Sequence, residues 1–556
     1  MTRHAHIVDC RSHQNKLLQC EIRTSEILFH PLIDKALPKN HLKSKSRPNS
    51  RLLIRRLTMS ASTTSTSTCS IKPSKCQDEE PESQGTPNVP FSIFSSASKY
   101  LITIMASIAS LISPMSSNIY LTALNPIADD LHVSDSKVNF TITTFMIFQG
   151  ISPVFIATCS DVVGRRPAFM VCFTLYIAAN IGLALQSDYG SLLGLRCLQS
   201  AGSSPTIALA SAVAVDIAAS KQRGSFLGVM LALQIIGPTV APVAGGLLTY
   251  HLGWHAIFWF LGIAAVALLI PMLLFFPETS RNVVHDGSTP PPWWNRSIKQ
   301  MLCRNRHWKT SNQSVNTETR LKNPLPILRV ILTDPESLMI LLIIGQSYSG
   351  IYSLMTTIPS LMHSTYGYTS EQIGYLFLAW SAGTVISTFT TGTYLDWVYR
   401  REARQMNLDP DTDMRDYPDF PIEKARLQFA FPVLGITGAT IIVYGWLLEY
   451  RYPVAFVYCL ELIFGFWASS ICQVGTTLIM DLHPGFPAAA GATVNLVRCL
   501  LGAGVTASAL PLLHKIGTGW FHTFAGVVWV WCGIPMVWWV IRNGVQLRKR
   551  RDSKLA

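Results

Sequence analysis

The chain has 556 residues, 49% hydrophobic and only 14% charged, with 45 Lys and Arg against 32 Asp and Glu and a formal net charge of +13. Soluble domains carry nearer a quarter of charged residues, so this composition excludes an ordinary water-soluble enzyme. The basic excess does not mark a nucleic-acid binder either, because no basic groove interleaved with aromatics accompanies it.

In chain order, residues 1–58 are basic and without periodicity, and residues 59–90 (MSASTTSTSTCSIKPSKCQDEEPESQGTPNVP) have the Ser/Thr/Pro/Glu-rich make-up of a disordered tail. The first apolar run begins near residue 101, which argues against a cleavable N-terminal signal. From there, runs long enough to cross about 30 Å of hydrocarbon as helices follow one another. They lie at 101–123, 138–158, 168–186, 190–214, 225–249 and 255–276, then 337–361, 372–395, 428–447, 453–479, 488–512 and 518–541. The expected fold is an all-α membrane protein of twelve transmembrane helices in two six-helix halves. Its parts are a tail (1–99), a first half (100–276), a central loop (277–336), a second half (337–541) and a basic tail (542–556).

Orientation follows from Lys and Arg. Residues 1–99 hold 15 of them, the other loops on that side are basic, and the opposite loops hold only Lys137, Arg451 and Lys515. Both termini are therefore expected in the cytoplasm. The 12 cysteines include no CxxC pair and read as small apolar fillers. No GxxxxGK[ST], HExxH or GxSxG occurs, so no catalytic residue, cofactor or metal is expected and the chain is not read as an enzyme.

Between the second and third runs stands ATCSDVVGRRPAF, with Asp161, Gly164, Arg165 and Arg166 at a tight helix junction. Such a charge cluster can latch neighbouring helix ends in one conformation and release them in another. GTYLDWVYRR repeats the pattern in the second half, with Gly392, Asp396, Arg400 and Arg401. The fourth run carries LxxxRxxQxxG as Leu192, Arg196, Gln199 and Gly202. The fifth carries IIGPTVAPVAGGLL, in which Gly237, Pro238, Pro242, Gly245 and Gly246 permit bending and close helix approach.

On these motifs the chain, from about residue 100 to 545, resembles the major facilitator superfamily, and specifically the twelve-span drug:proton antiporters of fungi. LGWHAIFWF, FFPETSR, RNVVHDGSTPPPWWNRS, FPIEKARL and DLHPGFPAAAGATVNLVRC resemble its quinidine and organic-acid exporter branch. The family's loop signature has a Gly where this chain has Ala157 and an Arg where it has Val162. The resemblance implies that the fifth-run motif marks an antiporter working outward, and that the first, fourth, seventh and tenth helices line a central cavity.

Inside the runs lie just two basic residues, Arg196 and Arg498, and one deep carboxylate, Glu461. Such charges are expensive in a membrane and mark transport pathways. Arg196 lies roughly 10 Å and Glu461 roughly 12 Å from the outer surface. Glu461 is therefore expected to carry the proton, with Arg196 as the charge that tunes it. Asp216, followed by KQRG, is expected to pair with the loop after the fourth run. Asn118, Gln199, Ser203, Gln234, Gln346, Tyr352, Asn495 and Arg498 are candidate substrate contacts.

The expected function is proton-coupled efflux of small amphipathic organic compounds (drugs, toxins or fungal secondary metabolites) by alternating access in the plasma membrane. The partners are a small-molecule substrate, protons and the lipid bilayer, with no nucleic acid, and the chain is expected to work as a monomer. A facilitator or importer of a metabolite or organic acid, and a non-transporting sensor, are the alternatives.

Overall fold

The computed structural model describes residues 92–218, 220–285, 289–302, 325–407, 417, 420–483 and 487–555. The tail before residue 92 and residues 303–324 of the central loop lie outside them. Among the described residues the regular structure is helical throughout.

The first crossing is α1 (Ser96–Ile119), a 3-10 turn (Tyr120–Ala123) and α2 (Leu124–Asp130). Its start is fixed by Ser95, whose Oγ accepts the Ser98 amide at 3.3 Å. α3 (Asp135–Val163) stops at Gly164, where φ 116° and ψ 157° are open essentially to glycine alone. The chain thus turns at once into α4 (Arg165–Leu185).

The fourth crossing, expected as one run, is two helices: α5 (Tyr189–Ser203) and α6 (Pro205–Ile217). Pro205 has no amide hydrogen to return to the previous turn, and the ladder breaks at Ser204. With 15 and 13 residues, neither piece crosses alone. Accordingly 11 continuous helices, not twelve, are long and apolar enough to cross a membrane among the described residues. α5 and α6 in succession make the remaining crossing. α7 (Ser220–Leu252) and α8 (His255–Phe275) finish the first half, and α9 (Arg281–Val284), α10 (Ile298–Leu302) and α11 (Leu325–Thr333) follow.

The second half comprises α12 (Pro335–Tyr366), α13 (Ser370–Gln405), the short α14 (Ile422–Leu427), α15 (Ala430–Glu449), α16 (Val454–Leu482), α17 (Pro487–Ile516) and α18 (Thr518–Leu555). Thr369 and Gln372 form a reciprocal capping box at the start of α13. α18 continues through the segment expected as a tail. There Arg548 pairs with Glu423 at 3.0 Å and Arg551 with Asp334 at 3.5 Å.

Packing repeats from one half to the other. α1 lies on α7, α3 on α5, and α4 on α5 and α8; six crossings later α12 lies on α17, α13 on α16, and α15 on α16 and α18. The halves meet where α3 packs on α17 and α7 on α13. Lipid gives no hydrophobic drive between helices, so such contacts rely on small residues that admit close van der Waals packing. A Cβ on Gly150 would stand 3.1 Å from Cys499 Cβ, and one on Gly374 2.7 Å from the Pro242 carbonyl.

Candidate functional site

On the face bearing the basic loops, the junction of α3 and α4 is built around Glu278, just past α8 and 2% exposed. Its Oε1 accepts from the backbone amides of Arg165 (2.8 Å), Thr279 (3.0 Å) and Ser280 (2.9 Å), and its Oε2 from that of Arg166 (3.2 Å). The carboxylate thereby caps α4, satisfying amides that a helix start leaves open. Burial pushes the Glu278 carboxyl above its ordinary value, and the four amides pull the other way. Gly164 is required here twice over, since a Cβ would also meet the Glu278 carboxylate and Asn295 Nδ2.

The guanidinium of Arg165 reaches Asp161 at 2.6 Å and Asp216 at 3.0 Å, and Nη1 also donates to Ser160 Oγ. Arg166 donates from Nη2 to the Leu273 carbonyl at 3.0 Å. The four residues singled out in this loop therefore do come together. Asp216 binds Arg165 of the α3–α4 junction, whereas the sequence suggested the loop that follows it. Arg281 closes the ring by donating from Nε to the Asp216 carbonyl at 3.0 Å.

In the second half the matching cluster is made by other residues. Arg426 of α14 pairs with Asp481 at the end of α16 at 3.1 Å and lies over the Tyr399 ring at 5.0 Å. Lys424 pairs with Glu402 at 3.1 Å. Arg426 and Asp481 stand where Arg165 and Asp216 stand in the first half, before the third helix of a half and at the end of the fourth. Asp396 and Arg400 are exposed on α13, in a surface groove with Thr393, Trp397, Arg401 and Arg404.

On the opposite face the halves touch through the α7 motif. A Cβ on Gly245 would run into the Ile119 carbonyl, and one on Gly246 would stand 2.6 Å from that of Ser370. Gly237 sits against Leu111 and Pro114 of α1, while Ser381 donates to the Pro238 carbonyl at 3.4 Å. Two further bonds join the halves here: Asn125 Nδ2 to the Pro359 carbonyl (2.9 Å) and Ser360 Oγ to Asp135 Oδ2 (2.8 Å).

Within the bundle, Arg196 is 1% exposed. Its guanidinium lies 4.0 Å from the Tyr120 ring centroid and 4.3 Å from that of Phe145. Nη1 donates to Gln199 Oε1 at 2.6 Å, and Gln199 donates on to Asn180 at 2.8 Å. Nε and Nη2 are buried without a hydrogen-bond partner among the described residues. In the other half, Arg498 donates to Asn495 Oδ1 at 2.9 Å and lies over the Tyr348 ring at 4.9 Å. Asn495 donates to the Gln149 carbonyl at 2.8 Å, and Tyr348 stacks toward Tyr352 at 4.7 Å. The ionisable neighbours of both guanidiniums are tyrosines and cysteines rather than carboxylates.

The remaining candidates divide. Gln234 donates to Ser110 Oγ at 3.3 Å, joining α7 to α1. Asn118 and Ser203 bond to their own helices. Gln346 turns to α18, donating to the carbonyls of Val528 and Trp529. Glu461, 2% exposed, is not brought to Arg196: its polar neighbour is Tyr444 of α15. The two charges match in depth, but Arg196 turns to the 3-10 turn of the first crossing and to α3 while Glu461 turns to α15. Sequence reasoning missed Glu278 and Arg426 as network members, although FFPETSR and FPIEKARL had both drawn attention.

A family model described as Major Facilitator Superfamily matches residues 106–507. The MFS-type transporter phiD of a fungal species is 39% identical over 477 residues, covering 85% of this chain and 72% of its own. Citrate exporter 1 of Aspergillus niger is 32% identical over 484 residues, covering 85% and 91%. Among solved structures, the proton:xylose symporter XylE superposes with a TM-score of 0.53 at 14% identity, over 80% of this chain and 97% of that one.

Proposed function

The chain belongs to the Major Facilitator Superfamily of membrane transporters, and on that premise we propose that it exports small amphipathic organic compounds, above all those bearing an acidic group, in exchange for protons across the plasma membrane. The observation that carries this reading is the separation of interior charges. Among the described residues Arg196 and Arg498 have tyrosines and cysteines, not carboxylates, as ionisable neighbours, whereas Glu461 stands apart beside Tyr444. Guanidiniums with spare N–H groups suit an organic anion, and the rings around them suit its apolar body. A carboxylate shielded from those cations can load and unload a proton without competing for the cargo. The contacts between halves opposite the basic loops support alternating access, with that face closed here. The relative named a citrate exporter supports an outward direction and an acidic cargo.

The test is flux in vesicles holding the full chain under an imposed pH gradient. Naphthalenesulfonate is expected to move with the gradient and the uncharged naphthalenesulfonamide to be handled poorly. Arg196→Gln should remove the preference, and Glu461→Gln should uncouple flux from the gradient while leaving exchange at equal pH. Flux indifferent to the gradient would reduce the protein to a facilitator, and equal handling of the two compounds would remove the acidic cargo.

A further inference from the structure

A second group of buried polar side chains lies away from the guanidiniums, among α15, α16 and α18. His522 of α18 is fully buried, and its Nδ1 lies 2.7 Å from the Thr518 carbonyl. A carbonyl only accepts, so Nδ1 carries the hydrogen and Nε2 of the neutral ring is left with its lone pair. That Nε2 has no hydrogen-bond partner among the described residues, and the same is true of the Tyr444 hydroxyl. The two rings lie 5.4 Å apart between centroids. The Tyr444 hydroxyl also neighbours the Glu461 carboxyl. A buried acceptor without a donor thus stands beside a buried hydroxyl that itself borders a buried carboxylate. Leaving such groups unpaired costs about 1–3 kcal/mol each, which a purely structural core would shed by apolar substitution.

The order of the three groups runs inward from the face opposite the basic loops. His522 is one turn into α18, which starts at Thr518. Tyr444 lies a little over one turn before the end of α15 at Glu449, and Glu461 about two turns into α16 from Val454. The packing leaves no slack to remove the imidazole from this position, because Gly445 lets α15 lie directly on the His522 side chain. The other ionisable groups at this end are engaged or peripheral. Tyr366 donates to the Tyr452 carbonyl at 2.6 Å, Glu449 accepts the Gly519 amide at 3.2 Å, and Arg451 lies beyond Tyr366.

We propose that His522 and Tyr444 form a proton wire that loads Glu461 from the outer face. This rests on the reading of Glu461 as the coupling site and names the route by which its proton arrives. His522 Nε2 takes a proton from the outer face and becomes an imidazolium. The Nε2–H bond then breaks toward the Tyr444 oxygen as the Tyr444 O–H bond breaks toward a Glu461 oxygen. One proton moves, His522 returns to neutral, Tyr444 ends as a neutral phenol, and Glu461 becomes the acid.

The experiment needs no substrate, only protons. Full-length protein in vesicles is given a step in outer pH, and the carboxylic acid C=O band is followed by time-resolved infrared difference spectroscopy. The wild type should show a band that Glu461→Gln removes. In His522→Gln and Tyr444→Phe the same band should appear roughly a hundredfold or more slowly, the range lost with a positioned proton-transfer group. Amide bands in the same spectra report the fold, and Tyr444→Phe, which keeps the ring, decides if the His522 variant loses helix. A Glu461 band that rises at the wild-type rate in Tyr444→Phe overturns the wire and leaves the coupling site standing. A wild type without any band that depends on Glu461 overturns the coupling site itself.

Discussion

Gly164→Ala tests the junction at the heart of the first-half network. The backbone there is at φ 116° and ψ 157°, a region that costs a residue with a Cβ about 1–3 kcal/mol. The new methyl would also overlap the Glu278 carboxylate and stand 2.6 Å from Asn295 Nδ2. Moving Glu278 Oε2 forfeits its bond to the Arg166 amide, a charged hydrogen bond of about 1.5–3 kcal/mol. Moving Asn295 forfeits its 3.0 Å bond to the Val163 carbonyl, about 0.5–1.5 kcal/mol. The total, about 3–7 kcal/mol, is a large share of the stability of a typical folded protein. Gly392, the glycine of the matching motif, is the control: it lies inside α13 with nothing within 4 Å of a built Cβ. Gly392→Ala should be neutral or gain up to about 1 kcal/mol. Thermal unfolding of the two purified variants, followed by size-exclusion fluorescence, gives the comparison. A Gly164→Ala protein as stable as Gly392→Ala would refute the account of the junction.

Asp216→Asn leaves the buried Arg165 guanidinium with Asp161 as its one carboxylate among the described residues, and a double-mutant cycle with Arg165→Gln should give a coupling of about 1–3 kcal/mol in thermal unfolding; a cycle that closes at zero would mean the 3.0 Å pair is idle. Gly374→Ala places a methyl 2.7 Å from the Pro242 carbonyl and should wedge the halves apart on that face, so a cysteine introduced at Ser360 should react faster with a bulky thiol reagent than it does without the wedge. Burial, with Arg551 nearby, holds His483 below its ordinary value. A depressed group of this kind contributes stability that is full above about pH 6.5 and is lost as pH falls through the lower folded value; His483→Gln should flatten that acid limb of the melting profile. Glu278 has the opposite sign. Its raised carboxyl contributes most at low pH, and that share declines as pH rises through the raised value, a slope that Glu278→Gln should erase.

The crossings were legible because hydropathy over about 20 residues reports burial in lipid directly. Span four shows the limit. Its apolar content is continuous, but Pro205 breaks the backbone ladder, which a hydropathy window does not register. The charge cluster of the first half was legible because Asp161, Gly164, Arg165 and Arg166 lie within one short loop. Glu278 was not, since its partners at the start of α4 are more than a hundred residues away and its motif says nothing of where its oxygens turn. The expected pairing of Arg196 with Glu461 failed for a related reason. Counting residues gives depth along a helix, and helical periodicity gives which residues share a face, but neither gives the helix that face will meet. The repeat between halves misled in the same way: GTYLDWVYRR copies the residue types of the first-half loop, whereas the paired charges fell to Arg426 and Asp481.

On the proposed function, the tyrosine and phenylalanine faces that hold Arg196 would bear on which molecules can pass. Aromatic rings stabilise a guanidinium without cancelling its charge, as a carboxylate would. A protonated amine coming within about 8 Å of it, at an effective dielectric of about 20, meets about 2 kcal/mol of repulsion, or roughly a thirtyfold penalty in occupancy. If Arg196 lines the transport route as proposed, the same residue that would welcome an acid would work as a filter against cations, selecting by exclusion before any contact with cargo is made.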